Sequence, residues 1–344
     1  MASPLVECVP NFSEGRDAEV ISAIADSVSS VSGVTLLDVD SGADFHRTVV
    51  TMVGPPEAVL EAALASTSIA LDSIDMQLHT GEHARMGAVD VVPFIPIRDV
   101  TMQDCVRLAE RYAEAAAERF NIPIYLYAHA ARTPSRQRLP DIRRGEYEGL
   151  EQKLSDPEWA PDYGPAQFNA RSGVTATGAR SLLIAYNVNL DTDDKSAANQ
   201  IAGMLRTSGV LKKDDRGEKI VGPDGVAERS PGRFAALQAA GWMFDEHTAQ
   251  VSMNLLDHST TGMHTVTEAI RDEADTMGLA ITAGELVGLV PLDAMLAAGR
   301  FYHTSSDSAS EGDLVQAAIS GLGLDILDDF DATSSIIEWA AEGA

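Results

Sequence analysis

The chain has 344 residues, 45% hydrophobic and 22% charged, which suits two globular units with packed cores and excludes wholesale disorder. Its 52 acids against 25 lysines and arginines leave a net charge of −27, a field that repels nucleic acid and acidic membranes and excludes both as partners. The longest apolar runs, such as Val91–Ile97, are too short to cross a bilayer, and no basic patch precedes an apolar stretch at the N-terminus. Cys8 and Cys105 are too few for a disulfide framework or a zinc knuckle, so two reduced thiols in a cytoplasmic protein are expected.

Hydrophobic period and turn residues divide the chain. Leu5–Pro10 reads as a strand ended by Pro10-Asn11, and Asp17–Ser29 as a helix with its stripe at Val20, Ile21, Ile24 and Val28. Val34–Asp40 is a β-branched strand, Ser41-Gly42 a turn, and Arg47–Val53 the strand that follows. Pro55–Ala70 is an Ala-rich helix with proline in its opening turn, where a missing N–H costs least. Val89–Ile97 is a strand, Met102–Phe120 a helix and Ile122–Ala128 a strand. Asp156–Arg180 reads as a turn-rich connection between halves, with the boundary near Gly178.

The second half repeats this order without repeating the sequence. Ser181–Leu190 is a strand, Ala197–Ser208 a helix, and Phe234–Trp242 and Ala249–Leu256 are neighbouring strands. Met263–Met277 is a helix, Leu279–Val290 a final strand region, and two helical stretches close the chain. Between them Val210–Arg233 is polar and glycine-bearing, carries Lys212, Lys213 and Lys219, and reads as a hairpin or flap. The expected fold class is α+β. It comprises two ferredoxin-like βαββαβ subdomains, 1–178 and 179–344, with helices packed on open mixed sheets.

Three polar clusters are candidates for chemistry. His79-Thr80-Gly81-Glu82-His83-Ala84-Arg85-Met86-Gly87 contains H-x-x-E-H, a zinc-hydrolase spacing that needs both histidines on one helical face. Gly81 and Gly87 disfavour that helix, so a loop entering the strand at Val89 is expected instead. A histidine on such a loop has the right intrinsic pKa for general base catalysis. The second cluster is Val39-Asp40-Ser41-Gly42 with His46-Arg47-Thr48, and an acid at a strand end can orient an imidazole or simply make a turn. The third runs from Asp162 to Arg180, where Gly, Ser and Thr expose backbone groups and two arginines can receive carboxylates. There is no G-x-x-x-x-G-K-[ST] loop, G-x-G-x-x-G fingerprint or G-x-S-x-G elbow.

The segment Val6-Glu7-Cys8-Val9-Pro10-Asn11-Phe12-Ser13-Glu14-Gly15 resembles the opening of glutamate formimidoyltransferases. The resemblance continues through Leu36–Asp40, Gly81–Gly87, Val92–Pro96, Trp159–Asp162, Thr175–Arg180, Gln250–Leu255 and Leu286–Pro291. It implies transfer of the formimino group of N-formimino-L-glutamate to N5 of tetrahydrofolate, giving 5-formimidoyltetrahydrofolate and L-glutamate. It also implies a place in histidine degradation, a homodimer, and two α/β subdomains with the folate in a groove between them. Vertebrate members carry a further cyclodeaminase domain for which 344 residues leave no room, so a single-function form is expected. The family's catalytic base maps onto His83. Its folate-contacting stretch maps onto Gly164, Pro165, Ala166, Gln167, Phe168, Asn169, Ala170, Arg171, Ser172 and Gly173. His46 stands where vertebrate members carry asparagine.

On this reading His83 takes the proton that N5 must lose and returns it to the departing glutamate nitrogen, with Asp40 orienting the imidazole. No metal is required, because a protonated amidine-like carbon is already electrophilic. Both substrates are anions, so local cations must reverse the protein's field. Arg47, Arg85 and Arg180, with Arg171, are the candidates for substrate carboxylates. Two alternatives share these residues: formyl transfer from N-formylglutamate on the same scaffold, and a metal-dependent hydrolase built on His79 and His83.

The excess of acid, with only five lysines and none before Lys153, suits a surface kept soluble in a salt-rich cytoplasm. The Debye length shrinks from about 10 Å at 0.1 M salt to about 3 Å at 1 M, which screens carboxylate repulsion. Melting temperature and folate affinity are therefore expected to rise together between about 0.1 M and about 2 M potassium chloride. Flat or falling curves in a thermal-shift and binding titration would make the acidity incidental.

Overall fold

The computed structural model describes residues 3–223, 225–305 and 308–343. The chain divides into two compact α+β units, the first ending at Ser181 and the second running from Leu182 to Gly343.

In the first unit, β1 (Leu5–Cys8) and β2 (Asn11–Phe12) form one line broken at Pro10, followed by α1 (Ala18–Ser29). Asp17 starts α1 by accepting the N–H groups of Glu19 and Val20 on its side chain. Next come β3 (Thr35–Gly42), β4 (Arg47–Gly54), α2 (Pro56–Ser73), β5 (Val89–Arg98), α3 (Met102–Phe120) and β6 (Ile124–Ala128). Thr101 and Asp104 form a capping box on α3, and Asn121 ends it in the left-handed region at φ 53°. Two short helices, α4 (Leu139–Arg143) and α5 (Leu150–Ser155), precede β7 (Thr175–Ala179).

The sheet runs β3-β4-(β1/β2)-β5-β7-β6, with β1 antiparallel to both β4 and β5, and β7 parallel to β5 and β6. One face is covered by α1, α2 and α3 over a core that includes Phe12, Ile24, Met52, Phe94 and Tyr112. The Tyr112 hydroxyl is satisfied in that core by Thr67 Oγ1 at 2.6 Å. On a second core, Met86, Val91, Tyr125 and Tyr127 pack with Ile142 of α4 and Leu150 and Leu154 of α5. β5 therefore feeds both cores.

Three expectations are corrected in this unit. Ser41-Gly42 is not the turn: β3 continues to Gly42, paired with Arg47, and the chain reverses over residues 43–46. Asp156–Arg180 is not merely a connection, because its last part is the fully buried strand β7. Its small residues disguise it, and they are small for a reason: a Cβ on Gly178 would lie 2.3 Å from Tyr127 O. The strand expected from Ile122 begins at Ile124.

The second unit has β8 (Ile184–Leu190), α6 (Lys195–Leu205), the hairpin strands β9 (Val210–Leu211) and β10 (Arg229–Ser230), then β11 (Leu237–Met243) and β12 (Ala249–Leu255). It continues with α7 (Met263–Thr276), β13 (Ile281–Val287), α8 (Leu292–Tyr302), α9 (Glu311–Leu322), α10 (Ala332–Ser335) and α11 (Ile337–Gly343). The expected hairpin is present, extended by bridges at Lys213–Lys219 and Val221–Ala227; Asp224 within it lies outside the described residues. Among the described residues four helices, not two, follow β13.

The main sheet of this unit is ordered β11-β12-β8-β13 and is antiparallel throughout, not mixed. The reason is topological: each helical crossover passes over one strand, so the parallel strands it joins are never neighbours. Among the described residues no helix is long and apolar enough to cross a membrane.

Phe94, fully buried on the central strand β5, tests this packing. Phe94→Ala is expected to cost about 3–5 kcal/mol. The measurement is a lower urea midpoint at unchanged m-value.

Candidate active site

The loop between α2 and β5 carries His83, and backbone contacts set its path. Glu82 N–H donates to Asp44 O at 3.2 Å and His83 N–H to Phe45 O at 3.4 Å. A Cβ on Gly81 would lie 2.5 Å from Phe45 O, so only glycine lets the loop approach this closely. As the glycines at 81 and 87 imply, the segment is a loop and not a helix.

The segment just beyond His83 is laced to the stretch 164–173. Ala88 N–H donates to Ser172 O at 2.9 Å, Val174 N–H to Met86 O at 3.0 Å, and Gly87 bridges Gly173. Gly173 has φ +66°, and a Cβ there would meet Met86 O at 2.1 Å. Within the stretch, Asn169 Oδ1 accepts Arg171 N–H at 3.0 Å, and Tyr147 Oη donates to Ala170 O at 2.5 Å. Gly164, Ala166, Gln167, Asn169 and Arg171 are exposed, while the Ser172 hydroxyl is buried without a hydrogen-bond partner among the described residues. The fold thus sets the third cluster beside the first, and the second meets the first as well, through His46 against His79.

Around His83 the charges are positive. Burial first, then Arg47 of β4, Arg143 of α4, His79 and Arg85, lower its pKa to about 4, so the imidazole is neutral at neutral pH. Its side chain is 16% exposed. Arg47 makes no ion pair or side-chain hydrogen bond among the described residues, and burial lowers its pKa with only partial compensation from Asp40. Arg143 is held by the end of α4. The Lys153 ammonium donates to Ile142 O and, at 2.6 Å, to Arg144 O, fixing the helix that carries it.

Among the described residues Asp40 makes no hydrogen bond or ion pair with His83. It lies exposed on β3, paired in the ladder with Val49, and its charge acts on Arg47. The carboxylate facing His83 is Asp90, 1% exposed, with Oδ2 3.9 Å from His83 Nε2. Asp90 also accepts Met86 N–H at 2.8 Å and is ion-paired with Arg143. Burial pushes its carboxyl above the usual carboxylate range, opposed by Arg143, the Met86 N–H and Arg47. Sequence reading absorbed Asp90 into the strand Val89–Ile97. An acid inside an apolar run was the available signal.

Arg85 is not free for substrate. It is buried, bonded to Glu148 at 2.7 and 2.9 Å and to Glu146 at 3.3 Å, and its Nε donates to His79 Nδ1 at 3.2 Å. With that lone pair taken, His79 Nε2–H donates to His46 O at 2.8 Å. Neither His79 nitrogen is left for a metal. His46 has φ 51°, a backbone region that suits asparagine. Its ring stacks on His79 at 4.2 Å and bonds Glu14 at 3.1 Å and Thr80 O at 2.9 Å. Arg171 donates to Asp72 O at 2.7 Å. Arg180 sits at the far end of β7, with its N–H on Phe94 O and its guanidinium on Ser181 O, outside the group around His83. A cavity of about 510 Å³ lies on the Arg85 side of the loop, lined by Glu146 and Glu148. Its acids repel an anionic ligand, and His83 does not line it.

Residues 5–180 match the family model for the N-terminal subdomain of the formiminotransferase domain, and residues 185–342 match the model for the formiminotransferase domain. The chain is similar to a formimidoyltransferase-cyclodeaminase of Mus musculus, 47% identical over 98% of this chain. It spans 60% of that relative's length. It is 40% identical to a glutamate formimidoyltransferase of Streptococcus pyogenes, over 87% of this chain and 93% of the relative. A glutamate formimidoyltransferase of Thermoplasma acidophilum is 38% identical over 87% of this chain and 92% of its own. With both of its units matched, the chain belongs to the formiminotransferase domain family.

Proposed function

We propose that this chain transfers the formimino group of N-formimino-L-glutamate to N5 of tetrahydrofolate, with His83 as the general base. The observation that carries the reading is a neutral imidazole, set among Arg47 and Arg143, in a chain matched to the family along both units. The N5 lone pair attacks the formimino carbon, and the carbon–nitrogen double bond opens into a tetrahedral intermediate. N5 then carries a proton it must lose, and neutral His83 accepts it. The imino nitrogen's lone pair then re-forms the carbon–nitrogen double bond as the bond to the glutamate nitrogen breaks, and the imidazolium gives its proton to that leaving nitrogen, which regenerates neutral imidazole.

The surrounding cations match the substrates. Formiminoglutamate and folate bring carboxylates, and Arg47 has no protein anion within ion-pair distance among the described residues. Binding those carboxylates offsets the charges that depress His83, so the base strengthens when the site fills. The partly exposed stretch 164–173, laced to the segment after His83, supports its assignment to folate contact. The shared strand order, 2-3-1-4 in both units, supports reading each as a ferredoxin-like βαββαβ unit; in the first it is extended by β7 and β6. The salt-rich cytoplasm remains part of this proposal on composition alone.

His83→Ala is expected to lower kcat by about 10²–10⁴-fold with folate affinity unchanged. Paired assays with formimino and formyl donors identify the group transferred, and normal turnover in the variant would remove His83 from the mechanism. In the unmodified enzyme, the acid limb of kcat/KM reports the free site and that of kcat the filled one. The limb in kcat is expected at the higher pH, and coincident limbs would contradict charge compensation by substrate.

Arg47 and Arg85 separate by a different measurement. Arg47→Gln is expected to raise KM for the donor by about 10- to 100-fold, the scale of a lost hydrogen bond to a charged group. Arg85→Gln is expected to lower the melting temperature and leave that KM unchanged.

A further inference from the structure

We propose that Asp90 is a positioning residue for His83: it takes the Nε2–H of the imidazole and thereby leaves Nδ1 as the proton acceptor. The proposal rests on His83 being the base and adds which nitrogen works and what holds it. His83 Nε2 is buried and has no hydrogen-bond partner among the described residues. A buried donor left in that condition costs about 1–3 kcal/mol, so the site favours any small motion that satisfies it. Asp90 Oδ2, at 3.9 Å, is the acceptor within reach. About 1 Å of closure brings the pair to hydrogen-bond distance, the tightening expected when an open site fills.

Asp90 is built to stay in place while the ring moves. Its Oδ1 accepts Met86 N–H at 2.8 Å, its Oδ2 meets Arg143, and the first residues of β5 fix its backbone. Nδ1 of His83 makes no hydrogen bond among the described residues. The nitrogen that faces Asp90 is therefore the one unsuited to receive a substrate proton. The cations facing His83 are Arg47 from β4, Arg143 from α4 and Arg85 from its own loop, and the neighbouring titratable ring is His79. Asp90, from β5, is the anion set against them, and it stabilises the imidazolium that forms when N5 gives up its proton. His79 has no such role, since both of its nitrogens are already engaged.

The experiment reads the tautomer first. Protein labelled with 15N at histidine, with the His83 signals assigned by their loss in His83→Ala, is expected to show His83 protonated at Nε2 in the neutral form. An Nδ1–H tautomer would overturn the proposal without touching the assignment of His83 as base. Asp90→Asn, which keeps the size and an acceptor for Met86, is expected to lower kcat at least about 100-fold at little-changed KM and to mix the two tautomers. In a His83→Ala background the same substitution is expected to have no further effect on kcat. Asp90→Asn with near-normal kcat, or a loss of kcat equally large with and without His83, would show a structural residue only. Wild-type turnover in His83→Ala would instead overturn the base assignment, with the tautomer measurement still reporting the Asp90 contact. That measurement is made on the unmodified protein, so it stands even if Asp90→Asn fails to fold.

Discussion

A carboxylate buried at the start of β5 organises the first unit. Asp90 is 1% exposed, and a charge so placed is tolerated only because Arg143 pairs with it and Met86 N–H donates to it. Each partner draws in another element. Meeting Arg143 requires α4 to lie against the sheet, where Ile142 packs and Lys153 closes the helix end. Meeting Met86 N–H pulls the preceding loop onto the strand, and the same loop delivers His83. The carbonyl of Met86 then receives Val174 N–H, which ties the stretch before β7 to the site.

The electrostatics run against the protein's overall character. A chain of net charge −27 gathers Arg47, Arg85 and Arg143 around one histidine. These cations differ in availability. Arg85 spends its donors on Glu146, Glu148 and His79, and Arg143 is tied to Asp90, whereas Arg47 has no ion-paired anion among the described residues. A site built this way is attractive to carboxylates only at short range. In salt the long-range repulsion of the surface fades, while contacts in a partly desolvated pocket persist.

His46 and His79 illustrate how histidines in one cluster divide labour. Stacked and hydrogen-bonded to Glu14, Thr80 O, His46 O and Arg85, they are spent on holding the loop. His83, with one nitrogen buried and neither bonded among the described residues, is not held in this way. The spacing that suggested two metal ligands separates an imidazole with both nitrogens engaged from one with neither engaged.

Most elements, and the loop that carries His83, were legible in the sequence alone. α3 spans Met102–Phe120 as read, because a capping residue, an apolar stripe and a closing asparagine are all local signals. The glycines at 81 and 87 excluded a helix through His83 for an equally local reason. β7 was illegible, because TATGA carries no strand-like bulk; its smallness answers to Tyr127, which approaches it only in the folded sheet. Asp40 was given a role from its place at a strand end and Arg85 from its place in a motif, and neither ground says which charges meet. Asp90 pairs with a guanidinium 53 residues away, on a helix whose place is set by a second core. Hydrophobic period is written in neighbouring residues and can be read directly. Which buried charge finds which partner depends on desolvation, and desolvation exists only once the tertiary structure has closed.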